Sequence, residues 1–294
     1  MANLSKRLET NSDGNFFVDS TCIDCDTCRQ LAPTTFIEDG DYSSVFRQPE
    51  SAKEEFSAYQ ALSACPVGSI GTVKKNSTVL QKAKASFPLQ VEHEVYYVGF
   101  NSEKSFGANS YFIQHPKGNW LIDSPRYLTH LVQAFEEHGG IRYIFLSHKD
   151  DVADATRYAK AFGATQIIHR ADAHALPNAE WIIDGEDSVE AETGFLFIPV
   201  PGHTAGCMAL LYNNRFLFSG DHLWWDHIRQ QLDTPKNLVW DDVQLERSVK
   251  TLLNHSFEWV LPGHGKRIHL SPPDMKKAVH QLLHRRWHLA QSQL

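Results

Sequence analysis

Four cysteines near the start of the chain have a spacing that suits a metal–sulfur cage. Two residues separate Cys22 from Cys25 and Cys25 from Cys28, and Cys65 follows much later, directly before Pro66. Thiolates from one short loop can converge on one corner of a cluster, and a distant Cys-Pro can close the cage. Because the chain has no second triplet of this kind, the spacing predicts a single 4Fe–4S cluster.

Two other uses of these cysteines are less well supported. A structural zinc site is usually built from paired Cys-x-x-Cys units instead of a triplet, and disulfides are rare in reducing compartments. A 3Fe–4S cluster, left after oxidative loss of one iron, is the alternative to the 4Fe–4S form. Residues 16–71, including the run from Ala64 to Ile70, resemble the single-cluster bacterial-type ferredoxins. The resemblance implies a small electron-transfer module.

The region around these cysteines is acidic. Between Glu9 and Glu55 there are eleven acidic and three basic residues. One interpretation is a solvated surface that aids solubility. The other is steering toward a basic redox partner protein or electron carrier.

A second set of chemically able residues lies further along, in four loops that each follow an apolar run. Imidazoles and carboxylates are common metal ligands, and strand ends can aim several of them at one point. The loops carry His148 with Asp150, His203, Asp221, and His264.

These loops, in this order, resemble those of the metallo-β-lactamase superfamily over residues 91–268. The resemblance implies an αβ/βα sandwich with a metal site at one edge. Asp123 matches an early aspartate that braces the site, whereas His203, Asp221 and His264 match the later ligand positions. His222 beside Asp221 is expected either to orient that carboxylate or to be structural.

The first loop departs from the superfamily pattern His-x-His-x-Asp-His. His148 is kept, Asp150 stands at the second histidine, and Val152 and Ala153 occupy the last two positions. Neither of these two can bind a metal. Asp151 or Asp154 would take their place only if the loop were bulged.

Three functions fit this pattern. His148, His203 and Asp221 form the two-histidine, one-carboxylate set of non-haem iron enzymes, and persulfide dioxygenases of the superfamily bind one iron through these positions. The first function is therefore a redox enzyme with a mononuclear metal, acting on a small-molecule substrate. The second is a metal-dependent hydrolase of a small ester or thioester, in which bound zinc in place of iron would activate the water that Asp150 or Asp221 holds. The third is a docking scaffold without catalysis.

The elements that must position these residues alternate between strand and helix patterns. Strands are predicted at 91–98, 110–114, 120–123, 141–147, 165–169, 195–200, 208–212 and 216–219. Helices are predicted at 127–138, 152–162, 242–254 and 273–290. The predicted fold class is therefore α+β and α/β in two domains. They are a ferredoxin-like domain (1–80), a polar linker to about residue 87, and a sandwich domain (88–294).

Composition limits the remaining classes. The formal net charge of −7 and the pI near 6.1 argue against nucleic-acid binding. No apolar run is long enough to span a membrane. The polar first residues do not resemble a signal peptide, so a cytoplasmic location is expected, with an organellar stroma or matrix as the alternative.

Overall fold

The computed structural model describes residues 2–288, without the side chain of His288, and these residues form two compact units. The first unit contains residues 2–142 and 153–162, and the second contains 143–152 and 163–288. No helix in either described part is both long and apolar enough to cross a bilayer.

The first part of unit one is a small α+β module. Its elements are β1 (Phe16–Val18), α1 (Thr27–Leu31), β2 (Phe36–Asp39), β3 (Tyr42–Val45), α2 (Ala52–Ala64) and β4 (Ile70–Thr72). Strand β1 pairs antiparallel with β4, and β2 with β3. Phe16 packs edge-on against Tyr59 of α2, with ring centroids 5.0 Å apart. Helix α2 starts at Ser51, whose side chain accepts a hydrogen bond from the Glu54 amide, and it ends at Cys65.

The polar segment that the sequence assigns to the linker contains a helix, α3 (Ser77–Ala85). Asn76 caps its first turn by accepting from the Val79 amide. Leu80 and Ala83, spaced to share one helix face, are buried in the core of the small module. Two apolar residues are enough to fix this helix, although they make no sustained pattern in the sequence.

The rest of unit one is an antiparallel sheet covered by two helices. Its elements are β5 (Leu89–Glu92), β6 (Val95–Tyr97), β7 (Tyr111–Ile113), β8 (Trp120–Ile122), α4 (Thr129–Glu137) and α5 (Ala155–Phe162). The predicted single strand over 91–98 is wrong, because a turn at His93, with φ of 48°, splits it into the β5–β6 hairpin. Phe135 of α4 packs on Phe112 and on Tyr158.

Unit two contains two sheets and two α-helices. Strands β9 (Tyr143–Phe145), β10 (Thr165–His169) and β11 (Trp181–Ile183) are parallel. The second sheet has the order β12-β13-β14-β15-β18-β19. Its strands are β12 (Val189–Glu192), β13 (Phe195–Pro199), β14 (Met208–Tyr212), β15 (Phe216–Gly220), β18 (Trp259–Pro262) and β19 (Ile268–His269). A hairpin, β16 (Trp224–Asp226) with β17 (Gln231–Asp233), lies between β15 and helix α6 (Asp242–Thr251) in sequence.

The second sheet is covered on both faces. On one face, Phe197 stacks on Phe145 of β9, with ring centroids 5.2 Å apart. On the other, Leu211 and Leu217 belong to an apolar core with Leu245 of α6 and Val279 of α7 (Pro272–Leu283). The predicted fold class, an α+β module followed by an αβ/βα sandwich, is confirmed.

All four predicted helices have shifted bounds. Helix α4 covers 129–137 of the predicted 127–138, and α6 ends at Thr251 with a 3₁₀ turn after it over 252–254. The helix predicted over 152–162 starts at Ala155, because residues 149–151 form a 3₁₀ turn and Ala153 has a φ of 35°. Helix α7 ends at Leu283 and continues as a π-helical segment to His288. The predicted end at Ala290 lies outside the described residues.

Candidate metal centres

The structure brings the four spaced cysteines around one cavity of unit one. Cys22 and Cys25 lie on the loop before α1, Cys28 lies in α1, and Cys65 caps the end of α2. All four line one small cavity, with Val18 and Ile70 among the apolar residues around it. None of these cysteines forms a disulfide.

The sulfur atoms of this cage receive polar contacts suited to thiolate ligands. Cys22 Sγ accepts from the backbone amides of Asp24, at 3.5 Å, and Ser43, at 3.4 Å. Cys65 Sγ lies 3.4 Å from the Ser69 hydroxyl. Burial raises the pKa of Cys25 to about 11, so this thiol needs a bound cation to ionise at neutral pH. Four sulfurs around one cavity, two of them with hydrogen-bonding groups aimed at them, fit an iron–sulfur cluster.

A guanidinium fixes the loop that carries the first cysteines. Asp24 and Asp26 both have positive φ, of 54° and 64°. Arg29 pairs with the carboxylates of both residues, and its Nη1 donates to the Ser43 hydroxyl at 2.7 Å. Two strained positions are thus held by one buried cation.

A second group of ligand-type side chains meets in unit two. His148 follows β9, His203 follows β13 and Asp221 follows β15. Asp221 Oδ2 lies 3.6 Å from His148 Nε2 and 3.7 Å from His203 Nε2. Asp150 Oδ2 lies 3.8 and 3.5 Å from the same two nitrogens. Ligand atoms on a tetrahedron of about 2.0–2.2 Å metal bonds are about 3.3–3.6 Å apart, so these spacings suit one ion.

The protonation states of His148, His203 and Asp221, which form the first possible metal position, also suit a metal. Burial lowers the pKa of His148, which keeps the imidazole neutral, and its Nε2 is buried without a hydrogen-bond partner. Burial opposes ionisation of Asp221, but the imidazoles of His264, His148 and His203 together bring its pKa below the ordinary value. His203 Nδ1 is 2.6 Å from the Leu238 carbonyl, so Nδ1 donates and Nε2 is left to bind.

Asp221 belongs to a second possible metal position as well. Asp151, Asp221 and His264 offer ligand atoms that all lie within 4.8 Å of one another. His264 Nε2 is 3.7 Å from Asp221 Oδ2. A Cβ at Gly263 would lie only 2.6 Å from Asp221 Oδ1 and 2.9 Å from Asp151 Oδ2, so glycine leaves room for both carboxylates.

The sequence matches two known protein families. Residues 91–277 match the family described as the metallo-beta-lactamase superfamily. The chain belongs to the metallo-β-lactamase superfamily. Residues 18–72 match a second family, described as the 4Fe-4S single cluster domain of ferredoxin I. The predicted fusion of a ferredoxin module with a metallo-β-lactamase domain is confirmed.

Solved structures show the same superfamily fold. The DIM-1 metallo-beta-lactamase exposed to ceftazidime is 17% identical with a TM-score of 0.51, and the match covers 67% of this chain and 95% of that one. The BLEG-1 B3 metallo-beta-lactamase is 19% identical with a TM-score of 0.50, covering 60% of this chain and 93% of that one. No curated protein matched the chain.

The chain therefore joins an iron–sulfur module to a metal-binding metallo-β-lactamase domain. The cluster domain implies a 4Fe–4S cluster, and the imidazole and carboxylate donors of the second domain fit iron or zinc.

The structure also places the acidic residues of the altered first loop. The turn over 149–151 buries Asp151 beside Asp221 and His264. Asp154 is turned to other partners, since it accepts from the Tyr127 amide at 2.9 Å and from Lys104 Nζ at 2.7 Å.

Other residues singled out from the sequence have different surroundings. Asp123 directly follows β8 and is buried, with a φ of 53°. His222 is fully buried, and neither of its ring nitrogens has a hydrogen-bond partner, so it does not orient Asp221 through a hydrogen bond. Burial lowers the pKa of His222 to about 3.

Asp172, which no sequence motif singles out, connects two of the loops that carry metal-ligand candidates. Its buried carboxylate accepts from the Thr204 hydroxyl at 2.5 Å and from the Lys149 amide at 3.1 Å. These are the residues that follow His203 and His148. An acidic residue shortly after a predicted strand, 165–169, was the available signal.

Proposed function

We propose that the chain is a redox enzyme in which the 4Fe–4S cluster exchanges electrons with an iron ion held by His148, His203 and Asp221. The observation that carries the proposal is the donor set. Two imidazoles and a carboxylate meet at one point, on a chain that also carries an iron–sulfur domain. This set is typical of non-haem iron. Catalytic zinc also binds histidine and carboxylate sets, so the iron–sulfur domain on the same chain is what favours iron.

The residues of this position have separable roles. His148 binds as a neutral imidazole because burial lowers its pKa. Asp221 supplies negative charge, which favours the higher oxidation state of a bound metal. The side chain of Asp150 is 55% exposed, so this side of the position is open to a small-molecule substrate. Iron, when bound, supplies one-electron chemistry that zinc does not.

The electron source is proposed to be a separate carrier with a basic surface. The acidic residues between Glu9 and Glu55 surround the cluster cysteines in sequence. Opposite charge speeds the encounter of such partners, and salt weakens it. A cytoplasmic location, or an organellar stroma or matrix, is proposed with it, because these compartments keep thiols reduced.

One observation favours a hydrolase as the second candidate. Asp151 and His264 share Asp221 with the first position, so two metals could sit side by side. Paired metals a few ångströms apart activate water and hold both reacting oxygens in hydrolases. The same observation weakens the idea of a non-catalytic scaffold, which depended on the missing ligands at Val152 and Ala153.

Metal content tests these alternatives. The protein is purified without oxygen, and iron, zinc and acid-labile sulfide are counted. The redox proposal expects about five irons and four sulfides with little zinc, and a His203→Ala variant that keeps only about four irons. About four irons with about two zincs would favour the hydrolase, and about four irons alone the scaffold.

Electron exchange is tested in the same preparation. Isotopically enriched iron is placed only in the second domain, the protein is oxidised, and less than one equivalent of reductant is added. Mössbauer spectra of the enriched iron should show reduction in the wild type and slower reduction in a Cys22→Ser variant that lacks the cluster. An enriched iron that stays oxidised while the cluster is reduced would overturn the proposal.

A further inference from the structure

Arg126 lies against the cysteine cage, although it follows Cys65 by a long stretch of chain and belongs to the metallo-β-lactamase match. Its Nη2 donates to the Ser63 carbonyl at 3.1 Å, and its Nη1 approaches the Pro66 carbonyl at 3.4 Å. These two carbonyls flank Cys65. The guanidinium is therefore held beside one cluster ligand.

The backbone of Arg126 is fixed on its other side. Its amide donates to the Phe100 carbonyl at 3.0 Å, and its carbonyl accepts from the Tyr158 hydroxyl at 2.7 Å. Both partners lie in the same compact unit as the cluster cysteines. The position of the cation is thus a property of a packed structure and not of a free side chain.

The charge of Arg126 has no carboxylate partner. Among residues 2–288, no aspartate or glutamate forms an ion pair with it, and its Nε is buried without a hydrogen-bond partner. Burial lowers the pKa of Arg126, and Cys65 acts in the opposite direction. A half-buried cation without an acidic partner is unfavourable unless some other negatively charged group, such as a bound cluster, lies near it.

We propose that Arg126 is the counter-cation of the cluster and raises its reduction potential. Reduction adds one electron, and so one negative charge, to a cluster that four thiolates already make negative. A nearby positive charge stabilises the reduced form more than the oxidised form. The inference depends on the cluster and not on a metal held by His148, His203 and Asp221, so it stands or falls separately from the reaction proposed for that metal.

Two further residues that lie outside residues 18–72, Asn101 and Gly107, pack against the cysteine cage. Asn101 Nδ2 donates to Thr27 Oγ1 at 2.9 Å, and that hydroxyl lies 3.4 Å from Cys25 Sγ. Gly107 lies so close to Cys25 that a Cβ there would be 2.5 Å from Cys25 Cβ. Residues outside the 18–72 match therefore shape the surroundings of the cluster.

The test is the midpoint potential of the cluster in the full-length protein, measured by a redox titration followed by electron paramagnetic resonance. Arg126→Met removes the charge at similar length, and Arg126→Lys keeps it. Arg47→Met is the matched control, because Arg47 lies on the surface of the small module, paired with Glu54. We expect Arg126→Met to lower the reduced fraction at a fixed potential about tenfold, or about 59 mV for a one-electron couple. Arg126→Lys should keep most of the wild-type value, and Arg47→Met all of it.

The sign of the shift separates charge from packing. Loosened packing would admit water, which favours the more highly charged reduced cluster and raises the potential. An unchanged or raised potential in Arg126→Met, or a fall no larger than that in Arg47→Met, overturns the proposal. If the methionine variant does not retain the cluster, Arg126→Gln keeps a donor for the carbonyls without the charge, and the same fall is expected.

Discussion

The carboxylate of Asp172 accepts a hydrogen bond of 2.5 Å from the hydroxyl of Thr204. The same oxygen accepts from the Lys149 amide at 3.1 Å. Thr204 follows His203 and Lys149 follows His148, so one buried carboxylate links the loops that carry two imidazoles of the metal position. Asp172 touches neither imidazole through these bonds, and its effect on the metal is through the loops.

Replacing Asp172 by alanine should weaken metal binding in the second domain. Loss of an outer partner of metal ligands typically lowers affinity about 10–100-fold, and Asp172→Asn should restore most of it because an amide oxygen still accepts. Affinity is measured by competition with a chelator. Asp184→Ala is the control, since that carboxylate is 64% exposed on the surface. Equal affinity in the Asp172→Ala and Asp184→Ala variants would contradict the prediction.

Asp151 should govern the number of metals bound. When excess metal is added to the protein purified with one ion in this domain, we expect wild type to take up a second ion. Asp151→Ala and His264→Ala should each bind one, because each removes a ligand of the position that shares Asp221. The cluster absorbance should not change. The count is made by elemental analysis after desalting, and a variant that still binds two ions would show that its residue is not a ligand.

Gly107→Ala should destabilise the protein and promote cluster loss. Gly107 has a φ of 86°, and a Cβ there would lie 2.5 Å from Cys25 Cβ and 3.0 Å from Cys25 Sγ. Gly40→Ala is the matched control, because Gly40 has a φ of 62° and no heavy atom within 4 Å of the added Cβ. Both variants carry the cost of a positive φ, but only Gly107→Ala adds overpacking, of about 1–3 kcal/mol. Denaturant unfolding measures the difference in stability between the two variants. Equal stability losses in Gly107→Ala and Gly40→Ala would contradict the prediction.

Asp154 should contribute more to stability than its ion-pair partner Lys104. Asp154→Ala leaves the Tyr127 amide without its acceptor, which costs about 1–3 kcal/mol. Lys104→Met should cost less than about 1 kcal/mol, because the lysine side chain is 65% exposed. Denaturant unfolding of the two variants compares these costs, and a larger loss in Lys104→Met would contradict this ranking.

The pH dependence of the Asp154 contribution follows from its pKa. Burial opposes ionisation, but Lys104 and the Tyr127 amide bring the pKa of Asp154 below its ordinary value of 3.8. The contribution of ionised Asp154 to the free energy of unfolding is therefore fully present above about pH 3.8, and it is lost as the pH falls through the lower pKa of the folded state. The stability difference between wild type and Asp154→Ala should be constant between about pH 6 and 8. Unfolding curves across this range check it.

Features that depend on local spacing were predictable from the sequence. Cys22, Cys25 and Cys28 are only a few residues apart, on a short loop and the first turn of α1, so their spacing alone brings their side chains close together. Strands β10 and β14 have the predicted bounds, because continuous apolar runs identify buried strands well. The hairpin at His93 was missed, since a single positive φ interrupts an otherwise strand-like run.

By itself, the sequence determined the family, the two kinds of metal chemistry, and the loops that carry His203, Asp221 and His264. Only the tertiary structure decided that Asp151 lies beside Asp221, that Asp172 links two ligand loops, and that Arg126 lies beside Cys65. The physical reason is that each of these relationships depends on backbone geometry or on contacts between segments distant in sequence. The 3₁₀ turn over 149–151 determines that Asp151 is the buried acidic residue of this turn, and no periodic pattern in the sequence predicts this.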